Sequence, residues 1–128
     1  MNGGEASGRK GSFRDLDVWK KACDFVIQVY DLTSTLPPAE RFELVKHMRK
    51  TVWSIPLNIA EGCARYSRNE FLHFLNIAAG SLAEMETFLV IGRRLGMGEM
   101  ARYDACTASA AEIGRMLHGL INSIRKRE

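Results

Sequence analysis

From Phe13 onward, apolar residues recur at intervals of three and four, the spacing that builds one face of a helix. The first series is Leu16, Trp19, Cys23, Val26 and Tyr30, widened by Ala22 and Val29. Asp15 and Asp17 stand where negative charge suits a helix N-terminus. Pro37-Pro38 cannot continue the pattern, so this helix is predicted to stop near Leu36. The same prolines suit the opening turn of a second helix, where a missing N–H costs nothing. Its stripe is Leu44, Met48, Val52, Ile55 and Ile59, with Gly62 as terminator. Pro56 removes one backbone hydrogen bond inside this run and predicts a kink, because the pattern resumes at Ile59.

Ser67-Arg68-Asn69-Glu70 reads as a capping box before a third, long helix. That helix carries Phe71, Phe74, Ala78, Leu82, Met85, Phe88, Gly92 and Leu95 along its stripe, with Arg93-Arg94 in the last turn. Gly96 and Gly98 make a short connection, which favours an antiparallel partner. The fourth helix shows Tyr103, Ala110, Ile113, Leu117, Leu120 and Ile124. The predicted fold is all-α: an up-down antiparallel four-helix bundle with its second helix kinked at Pro56.

Composition narrows the picture. At 128 residues the chain fits one domain, and 46% hydrophobic with 26% charged residues excludes disorder for most of it. The bundle is expected over 13–124, between a flexible tail at 1–12 and a basic tail at 125–128. No uninterrupted apolar run approaches the ~18 residues that cross a bilayer, so no membrane partner is expected. Cys23, Cys63 and Cys106 are widely spaced with no CxxC, which argues against a disulfide framework or zinc finger and for a reducing cytoplasm.

The second helix does not fit a simple monomer. Phe42, Trp53 and Leu57 fall opposite its core stripe and interleave with Lys46, Arg49 and Lys50. Three readings are open: single apolar residues covered by lysine and arginine stems, a subunit interface, or a basic platform with Trp53 available to stack a base. On the third helix, Glu84 and Glu86 flank the core stripe and are expected to pair with bases of a neighbouring helix. Two positions apart, they do not face each other as catalytic carboxylates would.

Catalytic chemistry is mostly missing. Glu70-x-x-His73 is a single copy of the ligand motif of di-iron bundles, which need a second copy and two further glutamates. Glu43 and His47 suit an ion pair one turn apart, and His118 has no carboxylate partner in sequence. No GxSxG, phosphate-binding glycine loop or HExxH occurs. Cys63 is expected in a loop beside Arg65, where a lowered thiol pKa is conceivable but an inert thiol is the better reading. The chain is therefore expected to be no enzyme, with no catalytic residues, metal or cofactor.

Longer segments carry a family resemblance. Phe13–Ala22, the run Ser54-Ile-Pro56-Leu-Asn58-Ile-Ala-Glu61-Gly62 within 48–62, Gly80-Ser81-Leu82-Ala-Glu84-Met-Glu86-Thr87, and Arg115–Ile121 together resemble the four-helix-bundle proteins encoded in intervening sequences of 23S ribosomal RNA genes. That family is related to the accessory variability proteins of diversity-generating retroelements. The match spans about Phe13 to Ile124, and departs from the usual pattern at the bulky Trp53 and Leu57 and at an alanine-rich start of helix four. The resemblance implies a bacterial cytosolic homopentamer around a central channel, whose relatives bind nucleic acid and a reverse transcriptase through basic surfaces.

The expected function is thus a non-enzymatic oligomeric scaffold that binds RNA or DNA. Its role would be linked to ribosomal RNA intervening sequences or a reverse transcriptase. A protein-interaction module without nucleic-acid binding is the alternative. Candidate nucleic-acid contacts are Lys46, Arg49, Lys50, Arg65, Arg68, Arg93 and Arg94; candidate interface residues are Phe42, Trp53, Leu57, Glu84 and Glu86. Residues 13–124 hold 13 bases and 13 acids, so the formal +3 comes from the two ends of the chain. A nucleic-acid role for the body must rest on segregated charge, such as 46–60 with three bases and no acid, or on repetition in an oligomer.

Overall fold

A computed structural model describes residues 12–127 as four long helices, with no strand among them. The expected tail at 1–12 lies, but for Ser12, outside the described residues. A short 3₁₀ turn, Phe13–Asp15, leads into α1, Asp17–Thr33. Near the end of α1, Ser34 and Thr35 hydroxyls donate to the carbonyls of Asp31 (2.8 Å) and Leu32 (2.7 Å), ending the helix before the prolines. Helix α2, Lys46–Cys63, continues from a turn at Pro38–Glu40 and a π-wound stretch at Arg41–Val45. Helix α3, Arg68–Arg94, starts where the sequence places it, with the Ser67 hydroxyl accepting the Glu70 N–H at 3.1 Å. Helix α4 is Met100–Arg125, so the first residue of the expected basic tail is still helical.

Helices adjacent in the chain pack against each other, and α1 also packs against α4. Contacting pairs run in opposite directions along each seam. Tyr30 meets Trp53 and Thr33 meets Arg49 between α1 and α2. His47 meets Glu84 and Ser54 meets Ser81 between α2 and α3, while Arg93 meets Asp104 between α3 and α4. Neighbouring helices are therefore antiparallel around one shared apolar core. At one end the connection between α3 and α4 takes left-handed backbone at Gly96 (φ 70°) and Gly98 (φ 84°). A Cβ on Gly98 would lie 2.6 Å from Thr35 Oγ1, which also accepts the Glu99 N–H at 3.1 Å. Glycine is needed there so that this turn can close against the end of α1.

Three core assignments differ from the apolar pattern. The stripe at the centre of α1 is Val18, Ala22, Phe25, Val29 and Leu32, all buried. Leu16, Trp19, Cys23 and Tyr30 are half-buried along its edge. Helix α1 carries two adjacent apolar stripes, and only packing decides which one faces inward. Leu95 lies past the end of α3 and is 66% exposed, because the turn at Gly96 carries the chain away from the core. Leu75 and Leu89 complete the buried face of α3 instead.

The helix runs on through Pro56, which is itself buried. Proline at this position leaves the Val52 carbonyl without its usual donor. The nearby polar side chains serve other carbonyls: Ser54 Oγ donates to Thr51 (2.9 Å) and Asn58 Nδ2 to Ser54 (2.7 Å). Gly80, at the start of one of the family segments, has nothing within 4 Å of a Cβ built on it. Close approach occurs at Gly62, against Phe71 and Phe74, and at Gly92, against Tyr103.

Helix α3 is also long and apolar enough, by length and composition, to cross a membrane, with a mean hydropathy of 1.4 over its most apolar window. Counting uninterrupted apolar runs overlooks it because Glu84 and Glu86 break the run while leaving the average high. In the fold its buried stripe joins the four-helix core, and Ile77, Val90 and Ile91 remain exposed.

Candidate functional site

The distinctive surface chemistry lies along the two flanks of α2. On the α1 side, the Trp53 indole N–H donates to the Tyr30 hydroxyl at 2.9 Å. The Arg49 guanidinium lies 4.2 Å from the centre of the Tyr30 ring, and its Nε donates to Thr33 Oγ1 at 2.9 Å. Thr33 Oγ1 in turn donates to the Tyr30 carbonyl at 3.2 Å. Stacking and hydrogen bonding hold the arginine and the indole in place. Beside them an apolar groove of about 350 Å³ is lined by Phe13, Trp19, Ile27, Trp53, Pro56 and Leu57 among others. Phe13 and Trp19 meet edge to face at 5.1 Å in its wall.

On the α3 side, His47 Nε2 lies 3.1 Å from Glu84 Oε2, and the Ser54 and Ser81 hydroxyls are hydrogen-bonded to each other. Lys46, Lys50 and Glu43 border this shallow polar groove of about 480 Å³. Glu84 meets the expected base of a neighbouring helix in His47, while Arg49 points across the other seam to Tyr30. His47 accordingly turns to α3 and not back to Glu43. Glu86 stands exposed on α3.

The structure does not gather the seven candidate cations. Lys46 and Lys50 are exposed and Arg49 is half-buried on neighbouring turns of α2. Lys46 Nζ lies 5.8 Å from the centre of the Phe42 ring. Arg65 is at the opposite end of α2, bound to Glu61 at 2.5 Å and set over the Phe74 ring at 5.1 Å. Arg93 pairs with Asp104 at 3.0 Å across to α4. Arg68 and Arg94 are exposed at the two ends of α3, about 39 Å apart at the rise of an α-helix. Among the interface candidates, Phe42 is exposed, and Trp53 and Leu57 share one face of α2 with Lys46 and Lys50.

A third feature is absent from the sequence reading. An apolar cleft of about 530 Å³ opens between α2 and α3, walled by Leu44, Met48, Phe88, Ile91 and Leu95. Tyr103 reaches its floor from α4 over Gly92, where any Cβ would fall 2.5 Å from the phenol oxygen. The glycine in the Phe88–Leu95 stripe was the only signal available in sequence. No three His, Cys, Asp or Glu side chains converge as a ligand set among the described residues.

Burial favours the neutral form of the Cys23 and Cys106 thiols. Cys63 is the last residue of α2 and buried, not placed in an exposed loop. Burial, reinforced by the Asp31 carboxylate and opposed by Arg102, pushes the Cys106 thiol up to about 11 from an ordinary 9.0. Burial also raises Cys23, with Asp24 adding to it. Between about pH 9 and 11, the unfolded chain gives up the Cys106 proton before the folded one does. Stability should therefore be insensitive to this group below pH 9 and fall through that window. Urea midpoints measured from pH 8 to 11 should fall more steeply for the native protein than for Cys106→Ala; parallel curves would remove the thiol from the explanation.

These features define an all-α, four-helix protein whose unusual chemistry sits on the outer faces of its helices. The chain belongs to the 23S rRNA-intervening sequence protein family, whose model matches residues 14–119. Its structure is similar to the crystal structure of a protein with unknown function from the S23 ribosomal protein family of Bacteroides thetaiotaomicron. The two are 26% identical with a TM-score of 0.74, over 82% of this chain and 95% of that one. No curated protein matches the chain.

Proposed function

We propose that this protein is a non-enzymatic, cytoplasmic scaffold that assembles with copies of itself, in the homopentamer that its family resemblance implies. One observation carries the reading. Ile27 (63% exposed), Trp53 (48%) and Leu57 (58%) lie together on the α1–α2 face, beside a groove that no element among the described residues covers. Such a concentration of large apolar side chains, with tryptophan and arginine among them, is the composition of an interface. Light scattering over a concentration series tests it. The native protein should scatter well above the 14.4 kDa of one chain, and Trp53→Ala/Leu57→Ala should return it to that mass. A native protein that stays at 14.4 kDa throughout would remove the reading.

Nucleic-acid binding is the second reading, favoured by Lys46 and Lys50 standing exposed one turn apart on a stretch of α2 without acid. Five copies would carry a formal +15, five times the +3 of one chain. Its context would be a ribosomal RNA intervening sequence or a reverse transcriptase. Contacts of this kind release counterions, so retardation of RNA or DNA should weaken steeply between 50 and 200 mM salt. Arg49→Glu/Lys50→Glu should abolish it; equal retardation by that variant would exclude this surface.

A further inference from the structure

We propose that the α1 edge of one copy docks on the α2 edge of the next, about an axis parallel to the helices. In that docking Ile27 packs against Trp53 and Leu57, and Asp31 pairs with Lys50. The inference rests on the self-assembly reading above and adds to it the orientation, the register and the residues that meet.

Charge complementarity and the register of the α1–α2 seam carry the argument. The exposed edge of α1 holds Asp17, Asp24 and Asp31 at seven-residue spacing, nearly one line along a helix. Ile27 stands exposed between the last two. The exposed edge of α2 holds Lys46, Lys50, Trp53 and Leu57, with no acid from 46 to 60. One edge is acidic around an aliphatic side chain, and the other is basic around an aromatic one. Neither Asp31 nor Lys50 makes an ion pair among the described residues. Lys20 stands exposed among the α1 aspartates and Glu43 borders the polar groove with Lys46 and Lys50, so each edge carries one opposing charge within a majority of the other sign. Lys21 is held by Glu112 at 3.2 Å and Glu61 by Arg65.

Height along the bundle then decides which residues meet. Tyr30 contacts Trp53, and Thr33 contacts Arg49, so Asp31 lies level with the turn holding Lys50. Ile27 shares its groove with Trp53, Pro56 and Leu57, so it lies level with them. Rotation about an axis parallel to the helices keeps every residue at its own height. Edge-to-edge docking by such a rotation sets acid on base and aliphatic on aromatic in a single register. A two-fold axis perpendicular to the helices would instead lay the acidic line of α1 on its own copy.

The edges also lie where a ring needs them. On the helical wheel, Asp24 and Asp31 fall on the side of Ile27 away from α2, and Lys50 falls on the side of Trp53 away from α1. Stacking two copies face to face over the groove would leave these charges outside the contact. Joining unlike edges brings them in, and repetition of such a heterologous contact closes a ring.

Sedimentation or light scattering on nucleic-acid-free protein tests the register with Asp31→Lys, Lys50→Asp and the double variant. Both positions are exposed, and circular dichroism should show unchanged helix content. Each single variant should raise the concentration at which the assembly half-dissociates by at least about tenfold, and the double variant should restore it to within about threefold. Unaltered assembly in the singles, or no rescue in the double, overturns the register while leaving self-assembly standing. A native protein that is monomeric at every concentration overturns both.

Discussion

Phe25→Ala should lower the unfolding free energy by about 3–5 kcal/mol, the usual cost of emptying a buried phenylalanine site. Phe25 is fully buried at the centre of α1, among Val18, Ala22, Val29 and Leu32 and the inward faces of the other helices. Truncation removes the ring's transfer free energy and leaves a void that rigid helices cannot collapse to fill. A domain of this size is stable by roughly 5–15 kcal/mol, so the loss is a large share of the whole. The urea midpoint should fall sharply at unchanged slope. Cys23→Ala, on the half-buried edge stripe two positions earlier, should cost under about 1 kcal/mol. Equal losses at the two sites would mean that the wrong stripe of α1 has been placed inside.

Opposite results are expected from one substitution at two glycines. Gly62→Ala should destabilise by about 1–3 kcal/mol, as overpacking of a filled contact does. Its Cβ would lie 2.8 Å from Phe74 Cβ, 3.0 Å from Phe71 Cδ1 and 3.2 Å from the Phe71 carbonyl oxygen. Two of those atoms are fixed to the backbone of α3 and cannot swing aside, so the end of α2 must move away. Gly80→Ala should stabilise by about 0.5–1 kcal/mol, because the position is helical, exposed and open around the new methyl group. Thermal or urea unfolding of the two variants checks the sign. Stabilisation by Gly62→Ala would show that α2 and α3 are farther apart at that end than the structure has them.

The candidate site was legible to different depths at different residues. Trp53, Leu57 and Phe42 were recognisable as misplaced for a monomer because apolar side chains opposite a core stripe have no interior to enter. Where Arg49 goes was not legible. Its partner, Tyr30, is nineteen positions away in sequence, and only the antiparallel α1–α2 seam brings them together. The same holds for Glu84. A base of a neighbouring helix could be expected from its position beside the core stripe, but that the base is His47 depends on the rotation of α2. Cys63 beside Arg65 looked like a loop thiol because Gly62 resembled a terminator. The helix instead uses that glycine to admit two phenylalanines and ends one residue later.

Local sequence determined the number of helices, their approximate limits and their antiparallel order. Proline, the Ser67 cap, the glycine turns and the three-four spacing act within a few residues, so neighbours in the chain suffice to read them. Tertiary structure alone decided which stripe of α1 is central, which glycines are contact points and which is open space, and which partners Arg49 and His47 take. Those choices depend on the rotation and separation of helices relative to one another. They are fixed by packing between residues far apart in the chain, which no single helix encodes.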